Sequence, residues 1–125
     1  MEMKICFQVA AVTKPLISVQ RIVEQGNHVQ FGPKDEDNFI ENRASGNKIG
    51  LTRNGKGSFL MKVDLVGGNR EEVVVDSGAE ENVCPWEWGA HQGTLPAQKK
   101  ITFRAAGGAI IPHYGQRDVR VTSPF

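Results

Sequence analysis

The sequence predicts an all-β fold with one short helix, and three observations carry that expectation. Apolar residues gather in short runs rich in Val, Ile and Phe, several of them alternating with polar residues. Fourteen Gly and six Pro punctuate the runs, as the turns of a strand-rich chain require. Helical spacing is confined to one segment. The 125 residues suit a single domain with its own core.

The elements follow in order. Residues 4–12 alternate loosely as a strand, broken by Lys14-Pro15. Leu16, Val19, Ile22 and Val23 then fall on one helical face, with Pro15 in a tolerated first-turn position and Gly26 placed to end the helix. A short strand is expected at 28–31, followed by the polar turn 32–37. Residues 38–42, 48–52 and 58–65 read as three strands of a meander, turning at Ala44-Ser45-Gly46-Asn47 and Asn54-Gly55-Lys56-Gly57. Val66-Gly67-Gly68-Asn69-Arg70 reads as a flexible joint. A strand over 72–76 ends in Asp76-Ser77-Gly78, and residues 84–89 form a loop or helical turn. Residues 100–105 and 110–114 flank the tip Ala106-Gly107-Gly108-Ala109 as a hairpin, and 116–122 is a last alternating strand.

Composition excludes several functions. Fifteen basic and 14 acidic residues nearly cancel without forming long blocks, so nucleic acid is not an expected partner. Cys6 and Cys84 lie far apart in no ligand pattern, and His28, His91 and His113 are scattered. This argues for a reduced, intracellular, cytoplasmic chain with neither metal nor cofactor. No apolar run reaches the ~20 residues of a membrane span and no signal peptide is visible, so a soluble protein without a membrane partner is expected.

The most informative segment is Val73-Val74-Val75-Asp76-Ser77-Gly78-Ala79. An apolar strand delivers a carboxylate onto a tight turn. The triplet alone arises by chance in roughly one chain in fifteen of this length, and an ordinary Asx-type turn accounts for it equally well. The context adds weight: an apolar strand before it, a small residue after it, and a Gly-tipped hairpin further on. Aspartic peptidases hold their catalytic carboxylate in this way. Two carboxylates ~3 Å apart share one proton, and this chain supplies one, so the peptidase reading requires a homodimer.

Residues 73–85 resemble the active-site loop of retropepsins, nearest to those of copia-like retroelement polyproteins. A second block, residues 7–22 continuing through Gly26-Asn27-His28-Val29-Gln30-Phe31, is similar to that family's late strand, helix start and closing strand. A third, residues 101–115 with Val119, resembles its flap hairpin. The halves stand in reversed order: 1–66 resembles the usual C-terminal half, 67–70 is the joint, and 71–125 resembles the usual N-terminal half. The chain reads as a circularly permuted retropepsin-like domain, tolerable where the original ends lie close together.

The resemblance implies a small closed barrel forming a homodimer, and an aspartic endopeptidase acting on an extended polypeptide such as a retroelement polyprotein. Asp76 would be catalytic. Ser77, Gly78 and Ala79 would support the loop: Ser77 bracing it across the interface, Gly78 allowing close approach of the second chain, Ala79 lying beneath the carboxylates. Ala106, Gly107, Gly108 and Ala109 would form the flap. Trp86 and Trp88 are expected in the core or at an interface, and Glu80 and Glu81 as solvated loop acids. The rival is a retropepsin-like module that dimerises or binds peptides with little or no cleavage; behind it stands a generic β-barrel with an accidental triplet. The intact Asp-Ser-Gly-Ala favours the enzyme. The joining of the old termini leaves the strength of the dimer open.

Overall fold

The structure is a computed structural model that describes residues 2–98, 101–104 and 107–122. Twelve strands and one helix follow in chain order: β1 (Glu2–Ala10), β2 (Leu16–Ser18), α1 (Val19–Glu24), β3 (Asn27–Gln30), β4 (Phe39–Asn42), β5 (Lys48–Gly50), β6 (Thr52–Arg53), β7 (Phe59–Leu65), β8 (Arg70–Asp76), β9 (Val83–Cys84), β10 (Phe103–Arg104), β11 (Ile110–Ile111) and β12 (His113–Thr122). The expected all-β class with one short helix holds.

The strands form three sheets. The largest runs β12-β1-β9-β2-β8-β7-β6, and β12 also pairs with β7 through Val121↔Leu65 and Thr122↔Asp64. The others are β3-β4-β5 and the β10-β11 hairpin. The longest ladder joins opposite ends of the sequence, β1 against β12 from Glu2↔Thr122 to Ala10↔His113, with a register shift between Val9 and Ala10. The core lies on the inward faces of these strands. Phe7, Val9, Val63, Val119 and Val121 are fully buried, with Ile17, Met61, Val73, Val75 and Trp88 packed among them. Each such side chain contributes about 1.5–3 kcal/mol by leaving water.

Three expectations need correction. Leu16, Ile17 and Ser18 form β2 rather than the first turn of the helix. β2 lies between β9 and β8, so its main-chain hydrogen bonds outweigh the weak helical spacing. The helix therefore starts at Val19, with Ser18 as N-cap: its side chain accepts from the Arg21 N–H. The meander is also split. β4 and β5 pair with each other, whereas β7 pairs with β6 and β8 in the large sheet. Finally, the joint is a tight hairpin turn. Leu65 N donates to Asn69 O at 3.0 Å and Gly68 N to Leu65 O at 2.9 Å. Gly67 has φ +75°, and a Cβ on Gly68 would lie 2.9 Å from the His91 ring, so both glycines serve the turn and its packing. His91 Nε2 bonds Val66 O at 2.9 Å, which ties the turn down further.

Candidate active site

Asp76 is the last residue of β8 and sits half-buried where the sheet ends. Its Oδ1 accepts from Gly78 N at 2.8 Å, an Asx-type turn that bends the chain immediately after the strand. Ser77 and Gly78 are exposed and Ala79 is half-buried. The four residues singled out from the sequence thus form one turn at the edge of the core.

That turn is braced from the other half of the chain. β2 runs parallel to β8 with Leu16↔Val74, Ile17↔Val75 and Ser18↔Asp76 in register. Fully buried Ser18 donates its hydroxyl to Ala79 O at 2.7 Å and its N–H to Asn82 Oδ1 at 2.8 Å. Asn82 Nδ2 donates to Cys6 O at 3.1 Å, and Gln8 N donates to Asn82 O at 2.8 Å. Arg21 on α1 donates Nε to Glu80 O at 3.1 Å and pairs with both Glu24 and Glu81. Its hydrogen bonds to Glu24 and Glu81 raise the guanidinium above its ordinary pKa.

The expectation that Glu81 is merely solvated is thus corrected: it is ion-paired and its side chain is 19% exposed. Ser18, Arg21 and Asn82 were not singled out from the sequence as parts of this site. Ser18 had a local signal, an N-cap type before an apolar face. Arg21 and Asn82 had none, because their partners lie about sixty or more positions away.

The glycine-tipped hairpin is held differently. Among the described residues, β10 and β11 pair through Phe103↔Ile111 and Arg104↔Ile110. Arg104 Nη1 reaches back to Gly108 O at 3.1 Å, and Phe103 meets His113 edge-on at 5.3 Å. Among the described residues, a Cβ placed on Gly107 or Gly108 would meet nothing within 4 Å. Ala109 is exposed, and Ala106 lies outside the described residues.

Of the two tryptophans, Trp88 is buried against Phe7 with ring centroids 5.1 Å apart, as expected of a core aromatic. Trp86 is 54% exposed. Cys84 is buried, and burial pushes its thiol up to about 11. Neither described cysteine is in a disulfide. Among the described residues no group of three or more His, Cys, Asp or Glu is placed to hold a metal ion, and no helix is long and apolar enough to cross a membrane. No known protein family, curated protein or solved structure matches the chain.

Proposed function

We propose that the chain is the subunit of an aspartic endopeptidase, a circularly permuted retropepsin-like domain that works as a homodimer on an extended polypeptide. One observation carries the reading. A strand-borne carboxylate, Asp76, stands on a Ser-Gly turn that is hydrogen-bonded from the opposite half of the chain through Ser18. Such bracing gives a reactive group a fixed position, which catalysis by orientation requires. The proposed barrel is supported by β12, which pairs with both β1 and β7. The proposed permutation is supported by the short turn over 66–69, which leads from β7 directly into the Asp76 strand.

In this reading each chain contributes Asp76, and the pair holds one proton. The ionised carboxylate takes a proton from a water between them, and the resulting hydroxide attacks the scissile carbonyl carbon. The protonated carboxyl gives its proton to the carbonyl oxygen. Collapse of the gem-diol intermediate breaks the C–N bond, and the amine leaves with the proton taken from water. A gem-diol hydroxyl gives its proton to the other carboxylate as the new carboxyl group forms, and the pair again holds one proton. No covalent enzyme intermediate or cofactor takes part. The hairpin carrying Gly107 and Gly108 covers the substrate, holding it by main-chain hydrogen bonds as an added strand would be held. A retroelement polyprotein in a cytoplasmic setting is the proposed natural substrate.

The test is cleavage of a diverse peptide mixture from pH 4 to 7, read by mass spectrometry, with wild type and Asp76→Asn side by side. Cuts present in wild type and absent in the variant are expected. Absence of Asp76-dependent cuts at high protein concentration would overturn the reading in favour of a module that binds peptides without cutting them.

A further inference from the structure

The segment after the Asp-Ser-Gly turn is organised around a buried cation. Arg117 on β12 is 1% exposed, a position where a guanidinium persists only if its donors are met. Nε donates to Gly93 O at 2.8 Å and Nη2 to Thr94 Oγ1 at 2.6 Å. Nη1 donates to Trp88 O at 2.5 Å and Trp86 O at 2.9 Å, with Pro85 O at 3.5 Å. Every one of these acceptors belongs to residues 85–94, so the planar fork fixes the path of that loop.

The same guanidinium lies over the Trp86 ring, with Cζ 5.7 Å from its centroid. Trp86 in turn meets Tyr114 edge-on, centroids 5.9 Å apart. Tyr114 is 50% exposed and follows β11 after only Pro112 and His113. The hairpin root has further ties: the Phe103–His113 ring contact, Ala11 N donating to Pro112 O at 3.0 Å, His113 Nε2 bonded to Gln8 Oε1 at 2.9 Å, and the Ala10↔His113 pairing with β1. The Trp86–Tyr114 pair joins the root to the loop following Asp76.

We propose that Trp86, seated by Arg117, is a positioning residue: through Tyr114 it fixes the angle at which the β10-β11 hairpin leaves the sheet, and so sets how tightly an extended polypeptide is held. The hairpin part stands on geometry alone, whereas the polypeptide part rests on the peptidase reading. Trp86 touches no reacting group in this scheme. Its removal loosens the hairpin and weakens substrate binding with little effect on the chemical step.

Removing Arg117 would take a donor from the carbonyls of Pro85, Trp86, Trp88 and Gly93 and threaten folding, so the test uses the exposed partners. Full-length wild type, Trp86→Ala, Tyr114→Ala, Tyr114→Phe and the double alanine variant are compared by amide hydrogen exchange. An edge-to-face pair of this kind predicts exchange at Phe103, Arg104, Ile110 and Ile111 faster by about 3- to 10-fold in either alanine variant. The double variant should go no further than the singles, Tyr114→Phe should match wild type, and the β1 and β12 amides should be unchanged. Unaltered hairpin exchange, additive effects in the double variant, or acceleration throughout the core would each overturn the proposal. Exchange is read whether or not the protein cleaves anything, so failure of the peptidase reading is seen separately. Where cleavage is measured, KM should rise with kcat nearly constant; a fall in kcat at constant KM would contradict positioning.

Discussion

The Asp76 turn and the Gly107-Gly108 hairpin differ in how they are held, and the difference suits the tasks that the proposed peptidase reading gives them. The turn is a four-residue bend held at Ala79 by Ser18. The residues just after it are tied down by Arg21 at Glu80 and by Asn82 to Ser18 and Cys6, all contacts between positions far apart in sequence. Among the described residues the hairpin pairs through two residues on each strand, and nothing described lies within 4 Å of a Cβ built on either tip glycine. In that reading, a carboxylate that meets a second carboxylate at ~3 Å gains from fixity. In the same reading, a segment that admits and covers a polypeptide needs a low opening cost. One domain supplies both because the braced turn grows from the large sheet and the hairpin from a separate two-stranded one.

The largest expected effect breaks the scaffold behind that contrast. Arg117→Met removes the donors that hold residues 85–94, taking one from the carbonyls of Pro85 and Trp88 in the interior and from those of Trp86 and Gly93 near the surface. It should cost about 3–5 kcal/mol, read as a lower denaturation midpoint, and a change under 1 kcal/mol would contradict the account. Ser18→Ala acts on the braced turn alone. It removes the helix N-cap and the bond to Ala79 O together, so a loss of about 1–2 kcal/mol is expected, with a fall in kcat as the Asp76 turn loosens.

Cys84 sharpens the comparison through pH. Burial raises its folded pKa from 9.0 to about 11. The folded state therefore keeps a proton that the unfolded chain releases, and the associated stability is complete below pH 9. It is lost as pH rises from 9 to about 11, amounting to roughly 3 kcal/mol. Denaturant midpoints of wild type should fall across that window more steeply than those of Cys84→Ala; parallel slopes would contradict burial as the cause.

The smallest effects belong to the hairpin tip. Gly108 has φ +86° with nothing described within 4 Å of a Cβ built on it, so Gly108→Ala should cost about 1 kcal/mol of local strain. Gly107→Ala should change global stability by less than ~0.5 kcal/mol. A large loss of stability at Gly107 would mean that the tip is packed, against the geometry.

Much of this contrast was legible in the sequence. Local signals marked the Asp-Ser-Gly turn, the Gly-Gly tip and the hairpin turns at 44–47 and 54–57. What escaped depends on partners distant along the chain. Leu16-Ile17-Ser18 carries an apolar spacing that suits helix or strand, and only its place between β8 and β9 settles it as strand. β7 looks like the continuation of β4 and β5, yet its partner is β8 across the turn at 66–69. Arg117 sits in an alternating strand as an ordinary charged residue. Its burial becomes visible only when the carbonyls of residues 85–93 are seen to converge on it, since charged side chains are almost never fully buried without such partners.

The central claim is that one Asp76 from each of two chains makes the site, and mixing tests it most directly. Cleavage rate per wild-type chain would be measured against total chain concentration, then with Asp76→Asn chains added. The account predicts a rate per chain that rises with concentration as dimers form, and that falls to about half on equal mixing at saturation, when subunits exchange freely. A rate per chain that is constant with dilution and indifferent to the added variant would contradict it.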